Sequence, residues 1–383
     1  MKDPARYHPI LPTLVHDERA RQDFVSTLRR HLTGRIVPGN AKVYAARVAP
    51  RLRRDLGREP ADRHEVRHAM ERDPYYQFWS AMQRRSQELL WESVLEPTER
   101  DSAAMQQRAK ALRNAGRPGI ATSAGSLTLD PALKVPRYHT AVDIHLQPGG
   151  YHTDFGPDDL SAGAIYDRGI QIYSAGSTGP LNDSMGRMMV QFYREQVPGA
   201  APRCILDMGC AIGNSTLPWA AAFPAARVDA IDVAAPQLRY AHARARAMGA
   251  AVHFSQQNAE RTNFPDASFD VVVSHIMLHE TSRSALRNIL AECRRLLRPG
   301  GWMLHLEIPR GKTVLEQFQM NWESYNNNET FGSFITDIDL TEQAIAAGFG
   351  AERTRAVDYA LHRPQEQRLY SDYFLWRILI AQR

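Results

Sequence analysis

The chain has 383 residues, 43% of them hydrophobic and 23% charged, which allows a substantial buried core and is too long for one small domain. It has no apolar run of about 18 residues that would cross a bilayer, and its start lacks the apolar stretch of a secretory signal. No membrane partner is therefore expected, and cytoplasm is the expected compartment. The net charge of +5 does not point to nucleic acid, because only five of the 47 basic residues are lysine and the densest basic stretch, 47–58, has no aromatic residue to stack on bases. Cys204, Cys210 and Cys293 are odd in number and lack metal-ligand spacing, and so read as reduced thiols.

Taken in chain order, residues 1–140 read as a helical domain. Apolar residues recur at three- and four-residue spacing over 20–32, 44–56 and 75–94, and prolines punctuate the pattern, with Pro50 expected to break or kink the second segment and Pro97 to close the third. The aromatic residues Tyr75, Tyr76, Phe78, Trp79 and Trp91 read as core or as a seam between domains. Residues 141–200 change character: glycines and hydroxyl-bearing residues are dense, helical periodicity is absent, and the stretch reads as a lid with substrate contacts. His145 and His152, with Asp143 and Asp154, stand in loop spacing that gives no helical i, i+4 pairing to pre-form a metal site, so no metal is expected. These histidines read either as loop hydrogen-bonding groups or as substrate-binding groups. Residues 201–383 alternate strands near 203–208, 227–232, 251–254, 269–275, 301–308, 351–358 and 373–382 with helices at 214–222, 235–248, 283–297 and 339–347. That alternation predicts an α/β fold with a doubly wound, seven-stranded, mostly parallel sheet, closed by an antiparallel hairpin whose connection, 361–370, is too short for a helical crossover.

The informative motif is Ile205-Leu-Asp207-Met-Gly209-Cys-Ala-Ile-Gly213, an apolar strand that ends in an acid and spaced glycines before a helix. A second strand ends in Asp232 about 20 residues on, placed to accept from ribose hydroxyls. Asn258-Ala259, Ser274-His275 at the carboxyl end of the fourth strand, and Leu297-Arg-Pro-Gly-Gly301 follow. Together these residues resemble the class I S-adenosylmethionine-dependent methyltransferases, closely over about 200–310, and especially the branch that acts on small molecules. The resemblance implies S-adenosylmethionine as cofactor. It assigns the methionine end to Asp207, Gly209 and Gly213, the ribose to Asp232 with Val233 beside it, and adenine to Asn258 and Ala259. His275 and Tyr173 fall among the cofactor contacts, Tyr173 as a hydroxyl for the cofactor carboxylate or else as a core tyrosine. Ala211 stands where the family usually has a middle glycine and is tolerable if its φ is negative.

The resemblance also places the acceptor against the loop after the fourth strand. There His279, with an ordinary pKa near 6.5, reads as a general base with Glu280 beside it, or else as a structural cap. Substrate contacts are expected from His145, His152, Tyr166, Trp322, Tyr325 and Asn326, the last three in an aromatic and amide-rich stretch that reads equally as a helical cover. The expected function is methyl transfer to a small molecule of specialised metabolism, with no nucleic-acid partner and at most a homodimer. The alternatives are a methyltransferase acting on RNA or protein, or a non-catalytic subunit that retains the fold.

Overall fold

The computed structural model describes residues 8–114, 125–360 and 375–383. Eight strands form one sheet: β1 (Ser126–Thr128), β2 (Cys204–Met208), β3 (Arg227–Asp232), β4 (His253–Gln256), β5 (Phe269–His275), β6 (Leu297–Glu307), β7 (Thr354–Tyr359) and β8 (Trp376–Gln382). Their order is β1-β4-β3-β2-β5-β6-β8-β7. The first six in this order run parallel, and β8 pairs antiparallel with both β6 and β7. The expected seven strands are all present and the closing pair is antiparallel, although the 361–370 connection lies outside the described residues. β1 is the addition. Its three residues, Ser-Leu-Thr, are too few to show a period, yet Leu127 packs on the core from the sheet edge.

Side chains alternate across the sheet as a pleat requires. Ile205, Val271 and Val273 enter one core layer, against Phe192, Trp219 and Leu238. Leu206, Met208 and Val272 enter the other, against Leu286, Leu290 and Leu340. Both faces are thus covered by helices, and the carboxyl ends of β2, β3 and β5 are left as a shared rim, where ligands bind in such sheets.

Three expectations in the first half are corrected. The helix Pro74–Asn114 runs straight through Pro97. Proline supplies no N–H to the carbonyl four residues back, but here the Ser93 carbonyl accepts from Gln22 Nε2 at 2.8 Å instead, so the break is not forced. Nor is 141–200 irregular: it contains the helices Ser161–Tyr173 and Ser184–Gln196. Two of its glycines, Gly163 and Gly169, are points of close packing. A Cβ on Gly163 would stand 2.4 Å from the Tyr240 Cβ, and one on Gly169 would stand 2.5 Å from the Trp91 ring. At Pro50 the chain is not broken: a π-turn over Tyr44–Val48 runs directly into the helix Ala49–Leu56, with Val48 and Ala49 both in helical conformation. Among the described residues no helix is long and apolar enough to cross a membrane.

One buried polar node joins these parts. The Asp167 carboxylate accepts from Tyr240 Oη at 2.9 Å and Asn182 Nδ2 at 2.7 Å, and pairs with His8 at 2.9 Å and Arg244 at 3.2 Å. Burial pushes its pKa up, but Arg244, His8 and Tyr240 outweigh that and hold it well below the ordinary carboxylate range. Asp167→Ala leaves the fully buried Arg244 uncompensated and should cost about 3–5 kcal/mol in urea unfolding. Because the folded-state pKa is depressed, the contribution is complete above the unfolded value near pH 4. It should fade as the pH falls below that, and the acid limb of the stability profile should flatten in the variant.

Candidate functional site

The rim at the ends of β2 and β3 is built by backbone conformation. Gly209 has φ +70°, and a Cβ there would stand 2.6 Å from Met277 Sδ, so both backbone and packing require glycine. Its N–H and that of Cys210 both donate to the Ile231 carbonyl, at 2.8 and 3.0 Å, which ties the loop to β3. Gly213 also has positive φ and precedes the helix Thr216–Ala222. Ala211 departs from the sequence expectation: its φ is +44°, in the left-handed region, and not negative. It is held there by its N–H, which donates to Asp232 Oδ2 at 2.9 Å. Asp232 Oδ1 accepts from the Ala234 N–H at 2.9 Å. Each carboxylate oxygen therefore has one backbone donor and keeps lone-pair capacity for another. Val233, adjoining, gives its carbonyl to Gln256 Nε2 at 3.0 Å.

Asp207 is buried, with Oδ2 accepting from Thr216 Oγ1 at 2.6 Å. Its Oδ1 has no hydrogen-bond partner and lies 3.4 Å from His275 Nδ1, which is likewise unsatisfied. Trp219 Nε1 donates to His275 Nε2 at 3.4 Å, which assigns the proton of a neutral ring to Nδ1. Buried polar atoms normally find partners, so this orphaned acid and imidazole mark a place prepared for a ligand. Asn258 is turned locally, its Oδ1 accepting from the Glu260 N–H at 2.9 Å, and Ala259 is buried beside it. These positions fit S-adenosylmethionine: unsatisfied buried polar atoms beside Asp207, a glycine-shaped loop, and a carboxylate presented by two backbone amides.

Next to this rim is a second group of residues, from four segments. His279 is buried, with Nδ1 2.7 Å from Glu307 Oε2 and Nε2 3.9 Å from Glu280 Oε1. Burial alone would lower its pKa, but Glu307, Glu329 and Glu280 push it up to about 10. His279 is therefore an imidazolium at neutral pH, a donor and not the free base expected from its ordinary pKa. Glu280 Oε1 is 3.2 Å from His145 Nε2, and His145 Nδ1 is 3.3 Å from Glu329 Oε1. Burial acts to raise the pKa of Glu280, yet His145, His279 and His139 outweigh it and leave it below the ordinary value. Glu280 Oε2 is buried without a partner. Tyr151 and Tyr166 pack edge to face at 5.2 Å, and burial and then Glu280 raise the pKa of both hydroxyls. Asp232 also acts on Tyr166, and His139 acts on both Asp232 and Glu280, so the two groups of residues adjoin.

The other expected contacts divide. His152 lies 5.9 Å from the His139 ring, with Nδ1 buried and unpartnered. Tyr173 donates its hydroxyl to Glu323 Oε1 at 3.0 Å. Trp322 instead stacks on Trp79 at 3.9 Å and donates to Ser80, in the core of the helical region. Tyr325 is 70% exposed beside Arg67, and Asn326 is buried with its carbonyl accepting from Arg84. Of that stretch it is Glu323 and Glu329 that face the site, with Asn327 bridging them at 3.1 and 3.2 Å. Glu307, Tyr151 and Glu329 were missed from sequence. Asp143 and Asp154 are engaged elsewhere, Asp143 Oδ2 with the Gly149 N–H and Asp154 with Arg239. An open groove of about 820 Å³ borders Asn258, with Arg295 paired to Glu292 and Asp266, and among the described residues its lining has none of the buried partnerless atoms found at Asp207 and Glu280.

Residues 205–301 match a family model described as a methyltransferase domain. The chain is 29% identical over 154 residues to the malonyl-[acyl-carrier protein] O-methyltransferase of Methylococcus capsulatus, covering 39% of this chain and 53% of that one. It is 35% identical over 109 residues to the demethylmenaquinone methyltransferase of Thermus thermophilus, covering 28% and 49%. The matches thus span about half the length of these two relatives. Phosphoethanolamine N-methyltransferase 2 of Haemonchus contortus, solved with S-adenosyl-L-methionine, aligns over 51% of each chain at 18% identity with a TM-score of 0.39.

Two outcomes follow from the geometry. Ala211→Gly relieves about 1–2 kcal/mol of left-handed strain against about 0.5–1 kcal/mol of added unfolded-state freedom, so thermal unfolding should show equal or higher stability. The raised pKa of His279 means that its contribution is complete below about pH 6.5 and is lost as the pH rises toward about 10. Denaturation between these limits should show a decline of about 5 kcal/mol at most, by roughly 1.4 kcal/mol per unit, that Glu307→Gln reduces, with Glu329 and Glu280 sustaining the remainder.

Proposed function

We propose that this chain, which belongs to the class I S-adenosylmethionine-dependent methyltransferases, transfers a methyl group to a small-molecule acceptor seated against Glu280, Tyr151 and Tyr166. The observation that carries the reading is that unsatisfied buried polar atoms stand at the ends of β2 and β5, on Asp207 and His275, and again in the turn that follows β5, at Glu280 Oε2. Asp232 accepts from the ribose hydroxyls with the lone pairs its two amide donors leave free. Asp207 and His275 hold the methionine end, and the Asn258 turn with Ala259 borders adenine. When bound, the cofactor supplies an electrophilic methyl on a sulfonium.

The protein's own contribution is orientation and exclusion of water, which supplies on the order of 7–11 kcal/mol in well-aligned reactions. Met277 against Gly209 fixes the β5 loop over the β2 loop, so the group that meets the acceptor is set relative to the cofactor loop. Glu280 is the group that takes a proton from the acceptor, since its Oε2 is free while Oε1 is held by His145. His279 stays protonated and positions Glu280 from behind.

Calorimetry with S-adenosylhomocysteine tests the cofactor half. The wild type should bind, and Asp232→Ala should weaken binding by roughly 1.5–3 kcal/mol through loss of charged hydrogen bonds. Absence of binding by the folded wild type would sink the reading, and unchanged affinity in the variant would remove Asp232 from the site.

A further inference from the structure

The ion pairs around Glu280 form a ladder of alternating charge: Glu307, His279, Glu280, His145, Glu329, with steps of 2.7, 3.9, 3.2 and 3.3 Å. Both nitrogens of both imidazoles face a carboxylate. Only His279 Nε2, 3.9 Å from Glu280 Oε1, stands beyond hydrogen-bond reach of its carboxylate. Glu323 adds a fourth carboxylate, met by the Tyr173 hydroxyl and the Asn327 amide. Among the described residues the ion-pair partners of Glu280, Glu307 and Glu329 are histidines alone. Arg29 stacks on Tyr173 at 4.3 Å and donates to Ser86. Burial raises the pKa of Glu329, and even with it left out of the count Glu280, Glu307 and Glu323 outnumber the two imidazoles that pair with them, while Glu280 Oε2, buried and without a partner, is where the deficit is presented. His145, which meets Glu280 Oε1, lies 6.3 Å from the ring of Tyr151, which packs edge to face on Tyr166, and Glu280 acts on both hydroxyls.

A carboxylate acceptor would enter this place as one more anion beside Glu280 Oε2, and in a low-dielectric setting that repulsion is not screened. A cation instead gives Glu280 Oε2 the partner it lacks, next to an aromatic pair that favours a cation. We infer that the methyl acceptor is an aliphatic amine that enters as its ammonium, seated between Glu280 Oε2 and the rings of Tyr151 and Tyr166, and that carboxylates are rejected there. The inference rests on the methyl-transfer reading above. The amine nitrogen gives one proton to Glu280 Oε2, and its lone pair forms the new nitrogen–carbon bond. The methyl–sulfur bond breaks with its electron pair left on sulfur, which becomes a neutral thioether.

Three probes that share a trimethyl head and differ in charge test this on protein loaded with S-adenosylhomocysteine: tetramethylammonium, tert-butanol and trimethylacetate, titrated by calorimetry. The cation should bind about tenfold more tightly than either of the others. Glu280→Gln and Glu329→Gln should each erase most of that preference while S-adenosylhomocysteine affinity stays within about twofold, with circular dichroism checking that each variant is folded. In parallel, methyl label should pass to n-butylamine and not to butanoate. Trimethylacetate binding as tightly as the cation, label passing to butanoate, or no cation binding by the loaded protein would each overturn the inference. Failure to bind S-adenosylhomocysteine at all would instead overturn the methyl-transfer reading itself.

Discussion

Burial of charge at the carboxyl ends of the parallel strands is the constraint on which the site depends. An isolated carboxylate or imidazolium in such a place is costly enough that the group would shift its pKa and neutralise. Here each charge is tolerated because its neighbours carry the opposite sign. Glu307 comes from the end of β6, His279 and Glu280 from the loop after β5, His145 from the segment before the first sheet-covering helix, and Glu329 from the turn after the helix Val314–Asn326. Four separate stretches of chain are thus tied together by one ladder. Removing any inner member exposes two others, so the ladder also specifies how those stretches meet.

The same economy shapes the cofactor rim. The carboxylate of Asp232 does two things: it caps the N–H of Ala234, and it holds Ala211 in a left-handed conformation that alanine avoids. A glycine would adopt that conformation freely, but the hydrogen bond from Ala211 makes the substitution tolerable in the native state. Met277 over Gly209 then couples the β5 loop to the β2 loop, so the part of the site that faces the acceptor is fixed relative to the part that faces the cofactor.

Much of this was legible in the sequence because β5 and its neighbours are short apolar runs that end in chemistry-bearing residues. Asp207, Asp232 and His275 all fall at strand ends, where period and motif agree. The failures share a cause: they depend on what lies far away in the chain. Gly163 and Gly169 look like loop residues until Tyr240 and Trp91 are seen against them. Pro97 looks like a terminator until Gln22 reaches the freed Ser93 carbonyl. Trp322 and Tyr325 drew notice for their aromatic character, but on a helix they point to the core and to solvent, and Glu323 shares the inward side with Asn327 one turn later. His279 had the right residue type for a base, and the carboxylate of Glu307, 28 positions away, with those of Glu329 and Glu280 behind it, makes it a cation.

The central claim is that cofactor and acceptor meet between Asp207 and Glu280. The most direct test is a crystal structure of the protein soaked with S-adenosylhomocysteine. The account predicts the ribose hydroxyls on Asp232, the amino-acid end against Asp207 and His275, and the sulfur turned toward Glu280 and Tyr166. A molecule bound with its sulfur facing away from Glu280, or seated in the open groove beside Asn258 and Arg295, would contradict it.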